Sequence, residues 1–226
     1  GVDAVSEGGV VHVAQGTYSE PLTITKSLSL VGTQQISTEK EEDISTIYGE
    51  NSAATILVRG SSAPVEVSIS NFHIKGGTHG ILVVEKASLL ISGNRIDSYK
   101  KNGVTFGSKI IAGEGKVSGT VDSNIIEGSG VTDTISQNGI QVAEGNTAHI
   151  TNNTILNHIY SVPGNMWATG VIIHGTQGVA VSDNTFINNQ TGVNIVKAKD
   201  NTLERNVFIG NKSTRAGIMI TDFDDP

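Results

Sequence analysis

A short motif that recurs five times is the feature that most limits what this chain can fold into. Each copy has an apolar residue, an asparagine three positions later, and a second apolar residue two positions beyond the asparagine. The copies are Ile91, Asn94 and Ile96; Val121, Asn124 and Ile126; Ile150, Asn153 and Ile155; Val181, Asn184 and Phe186; and Leu203, Asn206 and Phe208. A degenerate copy, with Phe72 in place of the asparagine, precedes them. Such internal repetition predicts that similar units stack along one axis.

A glycine and a short strand-forming segment follow each copy of the motif. The glycine and the residue after it are Gly80 and Ile81, Gly103 and Val104, Gly139 and Ile140, Gly170 and Val171, Gly192 and Val193, and Gly217 and Ile218. The shortest spacing, from Asn184 to Asn206, is 22 residues and gives the length of one coil. Longer spacings, such as that from Asn94 to Asn124, must then contain insertions in turns.

Alternation of apolar and polar residues gives each coil three short strands. In one of them Val193 and Ile195 point inward and Asn194 points outward. A single coil can neither bury its apolar side nor pair its backbone groups, so successive coils must stack with their strands parallel. The repeat therefore predicts an all-β fold, a single-stranded right-handed parallel β-helix.

The recurring asparagine has a structural explanation. Asparagine tolerates the left-handed backbone conformation of a tight bend, and its amide can hydrogen-bond to the equivalent amide one coil away. Catalysis would not need the same residue on every coil. The aligned copies therefore predict an internal asparagine ladder.

We interpret residues 1–226 as a single β-helix domain, cut from a larger protein. Val2 and Val5 have a helical spacing and predict the tail of an amphipathic cap over the end of the stack. The segment from Thr33 to Asn51 is polar and charged, which predicts an excursion loop before the strands resume at Ile56.

Charge and composition exclude several classes of function. The chain has 15 Lys and Arg against 22 Asp and Glu, whereas nucleic-acid binding normally requires clustered basic residues. It has no cysteine, and hence neither a disulfide nor a thiol nucleophile. No apolar run approaches the roughly 20 residues of a membrane span. We therefore expect no nucleic-acid partner and no membrane span; no signal segment precedes the first strand.

The motif copies and the N-terminal string GGVVHVAQGTYSEPLTITKSLSLVG together resemble the parallel β-helix repeat proteins of the pectate-lyase-like superfamily. This resemblance covers nearly the whole chain and implies a polysaccharide or glycan partner. Members of the superfamily include polysaccharide lyases, hydrolases, epimerases and noncatalytic adhesins. In the enzymes, substrate usually lies along one exposed sheet, between long turns that rise at its sides.

The strands that correspond to that sheet carry no complete catalytic set. Their expected outward residues are Leu82, Thr105, Gln141, Ile172, Asn194 and Met219. This row has neither the paired carboxylates of a glycosidase nor the base of a uronate lyase or epimerase. The DPHD motif of mannuronan epimerases and the NTD and RIK signatures of polygalacturonases are absent. No cofactor is identified; calcium held by acidic ligands is the candidate that a lyase or epimerase would use.

The candidate binding site lies in two long turns, residues 127–138 and 156–169, which would wall a groove beside this sheet. Aromatic rings stack on sugar faces, and amides pair with sugar hydroxyls. The predicted carbohydrate-binding residues are Gln137, Gln141, His158, Tyr160, Trp167, His174 and Asn194. In the alternative interpretation, Tyr160 and Trp167 only pin the second turn to the coil beneath it. No metal site is predicted.

These observations predict a carbohydrate-binding or polysaccharide-processing domain of an extracellular or cell-surface protein. Two alternatives stay open. One is a polysaccharide lyase or epimerase that acts on uronic-acid polymers, and the other is a noncatalytic structural or adhesin segment. Further domains of the parent protein are candidate partners.

Overall fold

Each coil of the chain makes three turns, and a short β-strand lies between successive turns. The computed structural model describes residues 1–33, 44–60, 63–107, 115–164, 167–210 and 215–221. In this part of the chain there are 24 strands and one 3-10 helix, Val2–Ala4. The strands form three sheets of eight, and all the pairings are parallel.

The three sheets, here named A, B and C, follow one another around every coil. Sheet A contains β1 Gly9–His12, β4 Leu28–Val31, β7 Val65–Ser70, β10 Ala87–Ser92, β13 Ser118–Asp122, β16 Thr147–Thr151, β19 Ala180–Ser182 and β22 Thr202–Glu204. Sheet B contains β2 Gly16–Tyr18, β5 Ser45–Gly49, β8 Phe72–Gly76, β11 Arg95–Asp97, β14 Ile125–Thr132, β17 Thr154–Tyr160, β20 Thr185–Ile187 and β23 Val207–Ile209. Sheet C contains β3 Leu22–Ile24, β6 Ala54–Arg59, β9 His79–Val84, β12 Asn102–Phe106, β15 Asn138–Ala143, β18 Thr169–His174, β21 Thr191–Val196 and β24 Ala216–Thr221.

The core is a column of aliphatic side chains enclosed by the three sheets. The register aligns equivalent motif positions from coil to coil, so that Ile69, Ile91, Val121, Ile150 and Val181 lie in one row. All five are fully buried. The predicted three-strand parallel coil is therefore confirmed, and the motif's first apolar position forms part of its core.

The repeated asparagines form the predicted ladder between sheets A and B. The Nδ2 of Asn94 donates to the Oδ1 of Asn124 at 3.0 Å, and the contacts continue through Asn153, Asn184 and Asn206 at 3.0, 2.9 and 3.0 Å. Each Oδ1 also accepts the backbone N–H of the preceding rung. The backbone N–H of Phe72 bonds to Asn94 Oδ1 at 3.0 Å and ends the ladder. Because a buried amide without a partner costs about 1–3 kcal/mol, the ladder favours the same residue on every coil.

The repeated asparagine was expected to adopt the left-handed backbone conformation of the bend, but the residue before it does so instead. Positive φ occurs at Gly93, Ser123, Asn152, Asp183 and Arg205, each immediately before a ladder asparagine. The ladder asparagines themselves are selected by hydrogen bonding, and the tight bend is made by their neighbours.

The repeated glycines mark a place where successive coils are too close for a side chain. A Cβ added to Gly80, Gly103, Gly139, Gly170 or Gly192 would lie 2.5–2.7 Å from the carbonyl oxygen of the next glycine in the row. It would also meet the second apolar side chain of the motif, such as Ile155 Cγ2 at 2.8 Å from Gly139. The glycine follows each copy of the motif in the sequence because it packs directly against the second apolar side chain of that motif.

The predicted excursion loop over residues 33–51 is wrong in its last part. Ser45–Gly49 form β5, which pairs with β2 and β8. This segment is a strand because Ile47 is buried in the core and Ser45 Oγ donates to Val13 O at 2.9 Å. Residues 34–43 lie outside the described residues.

The first residues contact the end of the stack as the cap interpretation expects. The 3-10 helix Val2–Ala4 is shorter than an amphipathic cap, but Val2 and Val5 pack, partly buried, against the hydrophobic core. Lys26 donates to the carbonyl oxygens of Asp3 and Val5 at 2.9 and 2.6 Å, which ties this segment to the first coil.

We expect Gly139→Ala to lower the free energy of unfolding by about 2–3 kcal/mol, because the new methyl group has no space between coils. Gly217→Ala is the matched control. It occupies the same row in the last described coil, and its nearest neighbour would be Phe208 Cγ at 3.2 Å. Urea unfolding measures both variants, and an equal loss of stability in the two would contradict the packing explanation.

Candidate functional site

The outer face of sheet C has three rows of side chains that run from coil to coil. The start row is Ala54, His79, Asn102, Asn138, Thr169, Thr191 and Ala216. The middle row is Thr23, Leu57, Leu82, Thr105, Gln141, Ile172, Asn194 and Met219. The end row is Arg59, Val84, Ala143, His174, Val196 and Thr221. The six outward residues expected from the repeat all lie in the middle row.

The two ends of this face differ in character. Ala54, Leu82 and Val84 form a small buried apolar cluster with Leu57 packed against it. Farther along the axis, Gln141, Ile172 and Met219 are only half-buried. Asn194, between Ile172 and Met219 in this row, is buried, so Gln141, Ile172 and Met219 are the side chains in this half of the row that a ligand can reach.

Amides and hydroxyls are hydrogen-bonded to one another where these strands begin. Asn138 Nδ2 donates to Asn102 Oδ1 at 3.1 Å, and Thr169 Oγ1 donates to Asn138 Oδ1 at 2.7 Å. Asn102 Nδ2 in turn donates to Gln141 Oε1 at 3.1 Å. This network fixes the orientation of the Gln141 amide on the outer face.

The two long turns begin as strands that extend sheet B, and this paired extension is here named the wall. After a bulge that follows Glu127, β14 resumes pairing with β17, and Gly130, Val131 and Thr132 align with His158, Ile159 and Tyr160. Val131 is 65% exposed at the top of this wall. The predicted turns at 127–138 and 156–169 are thus shorter than expected, because backbone pairing continues as far as Thr132 and Tyr160.

His158 lies inside the wall, away from any bound sugar. It is fully buried, with Nε2 2.5 Å from the Tyr99 hydroxyl and Nδ1 2.7 Å from Asn189 Oδ1. An amide oxygen only accepts, so Nδ1 carries the proton and Nε2 accepts from Tyr99. Burial lowers the pKa of His158 from 6.5 to about 4, against the opposing effect of the Asn189 hydrogen bond. The side chain therefore joins three coils, those of Tyr99, His158 and Asn189, as a neutral imidazole.

Gln137 is also in the interior and secures the first turn. Its Nε2 donates to Tyr99 O at 2.7 Å, and its Oε1 accepts the Ser129 backbone N–H at 2.8 Å. Gln137 is therefore a brace between the turn and the coil beneath it. Its burial keeps it from direct contact with a ligand on the outer face.

Tyr160 and Trp167 lie at either end of the second turn. Gln190 spans them, because its Oε1 accepts the backbone N–H groups of Tyr160 at 3.3 Å and Ala168 at 2.9 Å. The Trp167 ring is half-buried and has the Arg215 guanidinium 4.9 Å from its centroid, within cation–π range. Among the described residues, the buried indole N–H of Trp167 has no hydrogen-bond partner. The hydrogen bond from the Tyr160 N–H to Gln190 holds the turn to the coil beneath it, as the alternative interpretation expects. No such hydrogen bond from the indole N–H holds Trp167 in the part of the chain that the structure describes.

His174 and Asn194 lie on the same face, toward the other edge of the sheet. His174 is half-buried in the end row, and Asn194 Oδ1 accepts from Thr221 Oγ1 at 3.3 Å. The structure thus brings Gln141, His174 and Asn194 onto one face. Trp167, half-buried, lies just before β18 at one edge of that face, whereas Gln137, His158 and Tyr160 are buried.

Arg215 is the residue of this site that sequence reasoning missed. It lies in the turn before Gly217, at the same corner of the coil as Trp167 before Gly170. Trp167 is three residues before Gly170 whereas Arg215 is two residues before Gly217, so counting back from the repeated glycine does not align the two residues. The contact between them follows from the stacking of the coils and has no signal in the spacing of the motif.

A family model described as "right handed beta helix region" matches residues 54–225. The chain belongs to this family. The right-handed β-helix expected from the repeat is thereby confirmed.

Three solved structures are similar to this β-helix over most of its length. An alginate lyase from Paenibacillus sp. str. FPU-7 is 13% identical with a TM-score of 0.48, and the match covers 92% of this chain and 93% of the lyase. ORF18 of Geobacillus virus E2 is 13% identical with a TM-score of 0.49, covering 98% and 55%. The A-module of a mannuronan C-5 epimerase from Azotobacter vinelandii is 12% identical with a TM-score of 0.40, covering 88% and 68%. No curated protein sequence matches the chain. Likenesses this distant transfer no activity.

Sheet B of the β-helix carries a separate charged cluster. Asp97 Oδ2 accepts from His73 Nε2 and from Arg95 Nε, both at 2.8 Å, and Arg95 also pairs with Glu127 at 2.5 Å. Burial opposes ionisation of Asp97, but hydrogen bonds from His73, Arg95 and Ser98 outweigh it and hold the pKa of Asp97 well below its usual range. These charges compensate one another across three coils, so the cluster is explained as a brace.

Neither a metal site nor a membrane-spanning helix is found in the described ranges. No three His, Cys, Asp or Glu side chains there are grouped so that they could hold a metal ion. No helix in the same ranges has the length and apolar character needed to cross a bilayer. The calcium prediction stays a prediction.

We expect His158 to titrate near pH 4 in the folded β-helix. Between pH 6.5 and 4 the unfolded chain takes up a proton on this residue that the folded chain does not. Stability is therefore lost as the pH falls through this interval, by about 3 kcal/mol from this group. Urea unfolding at pH 7 and pH 4 tests this, with His158→Gln as the comparison. A wild-type pH dependence equal to that of the variant, or an imidazole NMR titration near 6.5, would contradict it.

Proposed function

We propose that this β-helix binds a polysaccharide along the outer face of sheet C, outside the cell or at the cell surface. The observation that carries the proposal is the half-buried Trp167 ring beside strands whose outer side chains include amides. A sugar ring has an apolar face that stacks on an aromatic ring and hydroxyls that pair with amides. Trp167 supplies the first contact and Gln141, which is half-buried, supplies the second.

Arg215 completes the recognition group at this edge. Its guanidinium lies over the Trp167 ring and is exposed to solvent. The cation restricts the orientation of the ring, and its N–H donors are free to pair with sugar oxygens as well. The Trp167 ring and the N–H donors of the Arg215 guanidinium therefore lie together at one edge of the outer face of sheet C.

The side chains of this face favour binding without cleavage. The three outer rows contain no aspartate or glutamate among the described residues. Hydrolysis by paired carboxylates therefore has no residues to use there. The two histidines of the rows, His79 and His174, lie three strand spacings apart, at least roughly 14 Å. They therefore cannot act together on one sugar as a general acid and base.

The length of the strands suits a chain of several sugars. Trp167 precedes β18 and His174 ends it, and the strand has six residues. At about 3.3 Å per residue, the two side chains bound a surface roughly 20 Å across. A polysaccharide chain lying across this surface contacts the wall, the middle row and the end row in turn.

We expect Trp167→Ala to weaken the binding of oligosaccharides about tenfold, which corresponds to about 1.4 kcal/mol of lost stacking. The matched control is Tyr18→Ala, because Tyr18 is an exposed aromatic residue on sheet B in the first coil. A glycan array identifies the ligands, and isothermal titration calorimetry measures the affinities of both variants.

Two results would count against the proposal. If Trp167→Ala and Tyr18→Ala bind equally well, the ligand does not use this face. If the folded wild-type domain binds no glycan on a broad array, the structural or adhesin alternative is the better account.

A further inference from the structure

The polar side chains at the start of the sheet C strands form a hydrogen-bond chain that runs in one direction. Thr169 Oγ1 donates to Asn138 Oδ1 at 2.7 Å, and Asn138 Nδ2 donates to Asn102 Oδ1 at 3.1 Å. Asn102 Nδ2 then donates to Gln141 Oε1 at 3.1 Å. Thr169, Asn138 and Asn102 are buried, whereas Gln141 is half-buried in the middle row. Gln141 is therefore the accepting end of the chain and lies where the chain reaches the surface.

The direction of the chain decides which part of the Gln141 amide faces a ligand. An amide has its oxygen on one side and its two N–H groups on the other. Because Asn102 holds the oxygen, Nε2 is turned away from the network. Gln141 Nε2 donates to no group in the described ranges, and it is not among their buried unpaired atoms. Gln141 therefore presents N–H donors to the outer face.

A second branch of the chain also ends in a donor. Asn102 Nδ2 donates to Thr105 Oγ1 at 3.0 Å, and Thr105 Oγ1 lies 2.9 Å from His79 Nδ1. Burial, with a smaller effect of the Lys101 charge, lowers the pKa of His79 to about 4, so the imidazole is neutral at pH 7. Thr105 Oγ1 accepts from Asn102 and gives its own proton to His79 Nδ1, which leaves the ring proton on Nε2. The network thus turns donors, not acceptors, toward this face.

The side chain next to the Gln141 donor is apolar. Ile172 follows Gln141 in the middle row, one strand spacing or about 4.8 Å away. It is half-buried and points outward. On the other side of Gln141, Thr105 is buried and bonded within the network. A group that fits this place accepts a hydrogen bond and has an apolar part beside the accepting atom.

We propose that Gln141 and Ile172 bind an acetyl group carried by the polysaccharide. The carbonyl oxygen of the acetyl group accepts from Gln141 Nε2, and its methyl group packs on Ile172. The inference rests on the proposed polysaccharide binding and adds the substituent that the sugar chain carries. Acetyl groups occur on sugars as amides and as esters, and the carbonyl and the methyl group are common to both. A hydroxyl in the same place is bound less well, because it has no methyl group to pack on Ile172.

The test compares acetylated and unacetylated sugars on a constant backbone. In the first arm, chitotetraose is compared with cellotetraose, which has the same linkage and a hydroxyl in place of each acetamido group. In the second arm, an acetylated xylo-oligosaccharide is compared with the same oligosaccharide after removal of its esters. By isothermal titration calorimetry, we expect the wild type to bind the acetylated member of at least one pair about tenfold more tightly.

Gln141→Glu removes the donor at nearly constant size. One carboxylate oxygen still accepts from Asn102, and the other repels the acetyl carbonyl. A sugar hydroxyl can donate to that oxygen, so the affinity ratio within the pair falls to one or below. Ile172→Thr is the second variant, because it keeps the branched shape and removes part of the apolar contact. We expect it to lower the ratio about threefold.

The matched control is Gln177→Glu, which makes the same change at an exposed position after β18. This control keeps the wild-type ratio if Gln141 is responsible for the preference. Circular dichroism and thermal unfolding establish that all the variants are folded.

The outcomes separate this inference from the proposed function. If the wild type binds neither acetylated ligand, or shows no preference in either arm, the inference is wrong. It is also wrong if Gln141→Glu keeps the wild-type ratio, even when Trp167→Ala weakens the binding of both members of a pair. If Trp167→Ala has no effect but Gln141→Glu loses the preference, the acetyl contact is supported and the contact with Trp167 is not. The arm that shows the preference identifies the acetyl group as amide or ester.

Discussion

Hydrogen bonding between the backbones of successive coils is the interaction on which the rest of this structure depends. A strand in one coil finds its partners only in the coils above and below, so every coil must repeat the path of its neighbour. Equivalent side chains are then brought into rows. Those rows explain the asparagine ladder, in which each amide bonds to the next, and the glycine row, in which no Cβ fits. They also bury the aliphatic positions on top of one another.

Function is expected where this constraint is relaxed. Insertions in the turns between sheets B and C continue as paired strands, and the second of them ends with Trp167 just before β18. The outer residues of β18 and of the neighbouring β21 have no acidic side chain. The fold thereby supplies a regular surface with an aromatic group at one edge, an arrangement suited to holding an extended sugar chain.

The sequence predicts the repeated part of this structure well, because each repeated position is subject to the same contact on every coil. It predicts the insertions poorly. His158 was assigned to sugar binding, yet it is buried against Tyr99, which lies 59 residues earlier and is brought close only by the stacking. The strand at Ser45–Gly49 was missed because the polar segment before it hid the short apolar alternation. The orientation of the Gln141 amide depends on Asn102 in the preceding coil, a contact that no spacing in the sequence indicates.

The most direct test of the central claim is a crystal structure of the domain with a bound oligosaccharide. The account predicts a sugar ring against Trp167 and Arg215, and further sugars over Gln141 and Ile172. An oligosaccharide bound instead on sheet A or sheet B, with the outer face of sheet C empty, would contradict it.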